Sequence, residues 1–534
     1  MAYLEDDIRR YVGLSSDTKP SLDTKDVGSY FFETDTGTNY IYNGSEWLRH
    51  NTNTKISFDD TESVDSFGRL SVARPINIFD NKNIHDRHEA LWEEPIVGAI
   101  IVHGTVTAGP FQVAETITGG TSGNIGTVTA VDAGALTITY IVNHNDFVAG
   151  ETITGSISGA SATVTTFNTG SHVSHDRNTA SVILQAGINN GDQAVRQTHR
   201  YFTYIPGKAQ ELGVTFLFGA AVTNIRRRVG YFDLENGIFL EQTTSGISFT
   251  VRSSTSGSPV DTQVLQSAWN MDKMDGTGPS RLNLDFTNVQ FLIIDFQWQG
   301  TGRVRCGFFY NGKKYVAHEF LYSNVISTAY SSTPSLPVRF EITNTGGTAS
   351  VYTMSEICTA LVSSEGDNPN GLGFSVSNDI TVRNIDAAAE YPILALRLKN
   401  THPKGGANRV TVELSNMSAF ATGNSLHYEV RHLHDPTGIT ATWADAGDGS
   451  ACEYSTNITA ITGNPTHKIE EGYIAAGSAG KGGGGTEIVG DKLDQHRYLS
   501  QNYDSTNSEC FVIFAQSLTG NAGVYAHISW VEFD

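Results

Sequence analysis

From Ser181 to about Lys399, apolar and polar positions alternate in short runs broken by turn residues. "QTHRYFTYIPGKAQELGVTFLFGA" reads as two strands, and "RRRVGYFDLENGIFLEQ" as a hairpin about Asn236-Gly237. "VQFLIIDFQWQGTGRVRCGFFYNGKKYVAHEFLY" gives three strands with a turn at Asn311-Gly312. "PVRFEIT", "ASVYTMSEICTALVS" and "PILALRLKN" complete that set. Regularly spaced strands of this kind predict an all-β chain of sandwich or jelly-roll type. The run from Thr401 to Asp534 continues in the same way, with "NRVTVELSNMSAFA", "CFVIFAQSL" and "VYAHISWVEF" as strands and "AAGSAGKGGGG" as a flexible loop. Sustained helical periodicity is scarce. "HDRHEALWEE" is the best helical candidate, and "IRRYVGL" could form a single helical turn.

Near the start, "SYFFETDTGTNYIYNGSEWLRH" reads as two hairpins, with Asn43-Gly44 favouring a type I′ turn. The predicted organisation is a β-hairpin attachment module over 1–57 and a main β-sandwich over 58–103 and 171–399. A module inserted over 104–170 and a C-terminal β-sandwich over 400–534 complete it.

The insertion is predicted from a repeat. "FQVAETITGGTSGNIGTV" (Phe111 to Val128) returns as "FVAGETITGSISGASATV" (Phe147 to Val164). The Glu-Thr-Ile-Thr-Gly run, the Ser-Gly pair and the Thr-Val pair keep their spacing. Two copies are too few for a solenoid, so a pair of hairpins sharing one core is expected. Gly104 to Gly170 holds no Lys or Arg, unlike the chain around it. The module should leave and re-enter its host at neighbouring points.

Composition narrows the function classes. The chain has 534 residues, 39% hydrophobic and 17% charged, which fits a globular protein of several domains. A net charge of -21 argues against nucleic acid and anionic membrane as partners. Cys306, Cys358, Cys452 and Cys510 are widely spaced with no CxxC, so free thiols in a reducing cytoplasm are expected. "MAYLEDDIRRYVG" has no apolar core of a signal peptide, and no apolar stretch is long enough to insert in a membrane.

Candidate chemistry is sparse. No GxSxG or HExxH occurs, and "GSAGKGGGGT" lacks the Gly-Lys-Ser/Thr of a phosphate loop. No catalytic or cofactor-binding residue is assigned, no cofactor is expected, and the chain is read as a non-enzyme. Two HxxH pairs, His85/His88 and His172/His175, flank the insertion and offer four imidazoles to zinc if its ends meet. The favoured alternative has Asp86 and Asp176 bonding Arg87, Arg177 and turn backbone. Arg226 and Arg228 should share one strand face and pair with carboxylates, with Arg227 on the other. Tyr40, Tyr42 and Trp47 are read as packing residues rather than a sugar platform.

"SVDSFGRLSVARPINIFDNKN" resembles a stretch common in virion structural proteins of tailed bacteriophages. "VRQTHRYFTYIPGKAQELGVTF", "RRRVGYFDLENGIFLEQ" and the run from "AWNMDKMDG" to "YVAHEF" resemble the same family. "FFETDTGTNYIYNGSEW" is similar to a small module of phage fibre and tail proteins, and the ETITG repeats to modules inserted in particle proteins. The resemblance implies a virion component made in the host cytoplasm, with a tail, baseplate or fibre position as the leading expectation. Its implied partners are other virion proteins, copies of itself (a trimer in a fibre) and a host-surface glycan. A capsid decoration or head-fibre protein, and a glycan-binding or polysaccharide-degrading receptor-binding protein, are the alternatives.

Overall fold

The computed structural model describes residues 10–23, 26–27, 29–36, 39–50, 76–88, 91–134, 136–142, 147–166, 170–364, 371–406, 408–434, 439–461, 466–476, 486–487, 498–503 and 508–533. The fold is all-β, and no α-helix occurs among these residues. Most of "SVDSFGRLSVARPINIFDNKN" and of the glycine-rich loop lies outside them. The chain divides into Met1–Ser63 and Val64–Asp534.

The first unit is a four-stranded sheet of β1 (Arg10–Gly13), β2 (Tyr30–Glu33), β3 (Asn39–Tyr42) and β4 (Trp47–His50), in that order. "IRRYVGL" therefore supplies a strand, not a helical turn, because β1 pairs in parallel with β2. The Tyr42–Trp47 connection has four residues, so Asn43-Gly44 does not form a two-residue type I′ turn. Trp47 packs on Tyr11, Phe31 and Tyr42, and its indole N–H donates to Pro20 O at 2.8 Å. A unit this small buries little, and the aromatic cluster supplies its core.

In the second unit, β5 (Ile76–Lys82), β6 (Trp92–Glu93) and β7 (Ile96–His103) precede the repeat. "HDRHEALWEE" thus ends in a strand, β6, paired with the later strand Gln193–Thr198. The repeat region forms β8 (Thr116–Gly119), β9 (Ile125–Asp132), β10 (Thr137–Val142), β11 (Thr152–Gly155) and β12 (Ser161–Thr166). Their order is β10-β9-β8-β11-β12-β7, and β10 also pairs with β7 from Thr137↔Val102 to Val142↔Ile96. The ring closes into a six-stranded barrel, so these strands have no free edges. Ile101, Ile117, Val128, Ile138, Tyr140, Ile153 and Val164 are all buried, as are Phe111 and Phe147, which open the two repeats.

The wording of the repeat is explained by one exchange. Glu115 Oε2 accepts from the Ile157 and Ser158 N–H groups at 3.1 and 2.9 Å, and from the Ser158 hydroxyl. Glu151 Oε2 accepts from the Thr121 and Ser122 N–H groups at 3.1 and 3.0 Å, and from the Ser122 hydroxyl. Each copy's glutamate thus caps the other copy's Ser-Gly turn, while its Oε1 accepts from its own Gln112 or Val148 N–H at 2.5 Å. Both carboxyls are buried, at 0% and 3% exposure. Burial would raise their pKa values, but the donors outweigh it and hold both below the ordinary carboxylate value. The TITG glycines follow: a Cβ on Gly119 or Gly155 would stand 2.5 Å from the partner's carboxylate oxygen. Gly123 and Gly159 take φ of +71° and +67°, which the turn needs.

The main sandwich packs two sheets. One continues from β7 through Gln193–Thr198, Val338–Asn344, Ile225–Phe232, Gly237–Thr243 and Gly246–Ser253 to Val260–Leu265. The other runs His172–Asp176, Ser181–Ala186, Tyr352–Ser363, Gln210–Leu217, Gln290–Phe296, Val304–Tyr310, Lys313–Phe320, with β5 against Tyr352–Ser363. Asn311-Gly312 does form a two-residue turn between Tyr310 and Lys313, with φ of 49° and 78°. The barrel interior and this core form one continuous apolar cluster.

The C-terminal sandwich begins earlier than expected. Tyr391–Leu398 lies between Cys452–Ile461 and Cys510–Ser517, and Leu372–Ser377 pairs with Ala522–Phe533. The boundary between the sandwiches therefore falls before Leu372, not near 400. Ile393 to Leu396 are fully buried, as suits a central strand, and alternation alone cannot say which sheet such a strand joins.

Leaving and re-entering the host also differ from expectation. The chain passes into the barrel at the far end of β7, yet returns where Ser171 N–H donates to Gly98 O at 3.0 Å. Gly98 and Gly104 are about 20 Å apart along a strand. The natural cut is therefore Gly98 to Gly170. A variant with residues 99–169 replaced by a short Gly-Ser bridge should unfold cooperatively in calorimetry, with β-type circular dichroism. Removing only 104–170 strands Ala99 and Ile101 without a barrel, and that variant should be less stable and prone to aggregate. Equal behaviour of the two deletions would refute the shared role of β7.

Glu115→Gln places an amide NH2 against a backbone N–H in either orientation. Barrel stability should fall by about 1–3 kcal/mol, the cost of an unsatisfied buried donor. Hydrogen exchange at β8 and β11 reads this directly, and unchanged protection would remove the exchange from the account. Since both carboxyls are held below their unfolded value, their contribution is complete at neutral pH and is lost as pH falls through the folded value.

Candidate functional site

The four flanking histidines come first. The structure brings their two segments together, since Arg87 Nη1 donates to Val173 O at 2.9 Å and His175 Nε2 lies 2.9 Å from Asn83 O. The rings do not converge. His88 Nε2 faces Lys82 O, His172 Nδ1 faces Gly170 O, and His85 is exposed. None of the four joins a cluster of three ligating side chains among the described residues. Asp86 accepts from the Arg87 N–H, and Asp176 from the Asn178 N–H and the Thr179 hydroxyl.

Charged side chains instead cluster on both faces of the main sandwich's first sheet. Arg196, fully buried, pairs with Glu94 and Glu356 and lies over the Trp92 ring at 4.4 Å. Glu356 belongs to the opposite sheet, so the pair ties both layers of the main sandwich. Arg226 and Arg228 share a face as expected, and both reach Glu341, at 3.2 and 3.5 Å. Glu341 is buried, which by itself raises its pKa, yet Arg339, Arg228 and Arg226 bring it down to about 2. Arg227 points inward, donates to Thr353 O and Gln242 Oε1, and is lowered to about 10 by burial. Removing one partner of such a set leaves an uncompensated charge, which costs far more than an exposed ion pair contributes.

A further set lies where the two sandwiches meet. His199 follows the strand Gln193–Thr198, His432 and His434 lie at the end of Leu426–Leu433, and Glu509 precedes Cys510–Ser517. Glu509 Oε1 is 2.8 Å from His199 Nδ1 and 3.1 Å from His434 Nδ1. Its Oε2 is 3.2 Å from His432 Nε2 and accepts from the Ser500 N–H at 3.0 Å. The His199 and His434 rings stack with centroids 4.0 Å apart, and the His432 ring is 4.2 Å from that of His434. Burial would raise the Glu509 pKa, but His432, His199 and their hydrogen bonds hold it well below the ordinary value. Burial, followed by the neighbouring imidazoles, holds His434 well below the usual histidine range. Glu93 stands 3.7 Å from His199 Nδ1 and accepts from the Tyr503 N–H. Nearby, Arg409 bonds the Tyr201 hydroxyl and Asp233, and Arg200 lies over the Tyr498 ring at 3.6 Å.

Sequence reasoning missed this set because its members come from three short stretches far apart in the chain, "QTHRY", "RHLHD" and "NSECF". The other grouping, Glu390, His427 and Glu429, lies nearer the surface, where Arg431 and Lys468 already pair with its carboxylates. The four cysteines are free, and three of them are buried. Among the described residues no helix is long and apolar enough to cross a membrane.

No protein-family model matches the chain, and no curated protein matches its sequence. Solved structures overlap it in part. A glycosyl hydrolase family 16 protein from Mycobacterium smegmatis is 12% identical, over 35% of this chain and 77% of its own, with a TM-score of 0.24. A glycosyl hydrolase family protein from Mycobacterium fortuitum is 9% identical, over 54% and 99%, with a TM-score of 0.28. A legume lectin-like domain from Entamoeba histolytica is 10% identical, over 37% and 88%, with a TM-score of 0.22. At this level of overlap, no site or activity is carried over from them.

Proposed function

We propose that the chain is a structural component of a bacteriophage particle, associated with the tail, baseplate or a fibre, that acts through protein–protein assembly. The observation that carries this reading is the use of its charged groups. Arg196 and Arg227 are enclosed between the sheets of the main sandwich, Glu341 is buried on the opposite face of its sheet among arginines, and Glu509 is buried where the two sandwiches meet, so they rigidify the fold instead of presenting chemistry to an open cleft. The phage-like wording of the main sandwich supports the same reading, as does a strongly acidic surface suited to high copy number.

A second reading, glycan binding at the host surface, is favoured by one patch. Phe291 and Phe309 stack at 5.2 Å on neighbouring strands, and Phe291 is 40% exposed. Gly213 lies under the Phe291 ring and leaves it free to lie flat. Exposed rings of this kind can stack on a sugar or seat a partner's apolar side chain.

Peptide mass spectrometry of gradient-purified particles from an infected culture tests the main reading. The chain should be present in many copies per particle. Its absence from particles, with abundant free protein in the lysate, would overturn the assembly role. Adsorption of the free protein to host-surface polysaccharide, lost in Phe291→Ala, would then favour the glycan reading.

A further inference from the structure

The junction set differs in kind from the other buried networks. Arg196, Arg227 and Arg228 bring cations with them, whereas Glu509 is surrounded by imidazoles. Two ring nitrogens, from His199 and His434, aim at one carboxylate oxygen. One ligand atom from each of His199, His434 and Glu509 lies within 4.8 Å of the others, and all three residues are buried. A tetrahedral zinc ion with bonds of about 2.0–2.1 Å has ligand–ligand edges of about 3.3 Å. The two nitrogen-to-oxygen separations, 2.8 and 3.1 Å, need only a small expansion to admit it.

We propose that His199, His434 and Glu509 bind one divalent ion of the zinc class, which pins the two sandwiches together. Imidazole and carboxylate without thiolate suit zinc, cobalt or nickel, whereas calcium and magnesium take all-oxygen sets. The surroundings complete a support shell. Ser500 N–H fixes the second carboxylate oxygen, His432 faces it, and Glu93 brings a second negative charge that a divalent cation offsets. The ligands come from both sandwiches: His199 from the first, His434 and Glu509 from the second. An ion held there binds only the docked state and therefore stabilises it.

Elemental analysis of the full chain, purified without chelator from zinc-supplemented medium, tests this. About one zinc per chain is expected, released by chelator only when the protein is partly unfolded. Refolding with cobalt should give the visible absorption of a tetrahedral nitrogen–oxygen site, with no thiolate charge-transfer band. His434→Gln and His199→Gln should each lose the metal and lower the melting temperature. Substoichiometric metal, no cobalt spectrum and a melting temperature indifferent to chelator would overturn the proposal and leave a metal-free hydrogen-bonded cluster. Full metal content in folded Gln variants would overturn it equally, because the ion would then lie elsewhere. Should the variants fail to fold, metal content and the cobalt spectrum of the unaltered chain decide alone.

Discussion

A carboxylate removed from water must be given donors in place of the water it loses, and this requirement organises the molecule. It is seen most simply in Glu115 and Glu151. Each is buried with no cation paired to it among the described residues, and each is satisfied by the turn of the other copy. Neither repeat can be complete alone, since its own Ser-Gly turn would lack an acceptor and its own glutamate would keep only the backbone donor of its own copy. The doubling is thus a consequence of hydrogen-bond accounting as much as of core volume. Arg196 with Glu94 and Glu356 meets the same demand between the sheets of the main sandwich. Glu509 with its imidazoles meets it between the two sandwiches.

β7 gives the barrel its place. Its first residues pair with Gln193–Thr198 of the main sheet, and its full length pairs with β10. The barrel is therefore fused to its host by a strand, not hung from a linker, and its orientation is fixed by backbone hydrogen bonds. The junction cluster extends the same rigidity to the C-terminal sandwich. The proposed ion would add a bond that depends on docking, since its ligands come from both sandwiches.

Much of this was legible in the sequence. Strand alternation is a local property, so the all-β fold and most strands could be read from it. So could the opposed faces of Arg226 and Arg227, which follow from the period of two. The repeat disclosed a distinct set of hairpins, although neither its closure through β7 nor the continuity of its interior with the main core. The remainder depends on pairings that local pattern does not encode. Tyr391–Leu398 is apolar enough for either sandwich, and only its neighbours decide. The return of the chain beside Gly98 is a matter of register. Asn43-Gly44 and Asn311-Gly312 share a dipeptide, yet the length of the connection determines which forms the tight turn. The HxxH pairs had the more suggestive spacing, while His199, His434 and Glu509, far apart in the chain, are the ones that meet.

The central claim is that the two repeat glutamates are anions exchanged between copies. Carboxyl carbon-13 resonances of Glu115 and Glu151, followed against pH in the full chain, test it most directly. Both should titrate below the ordinary glutamate value of 4.5, because each folded carboxylate keeps its backbone and hydroxyl donors. Titration of either at or above 4.5 would mean that desolvation prevails over the donors, and would contradict the exchange as the reason for the repeat.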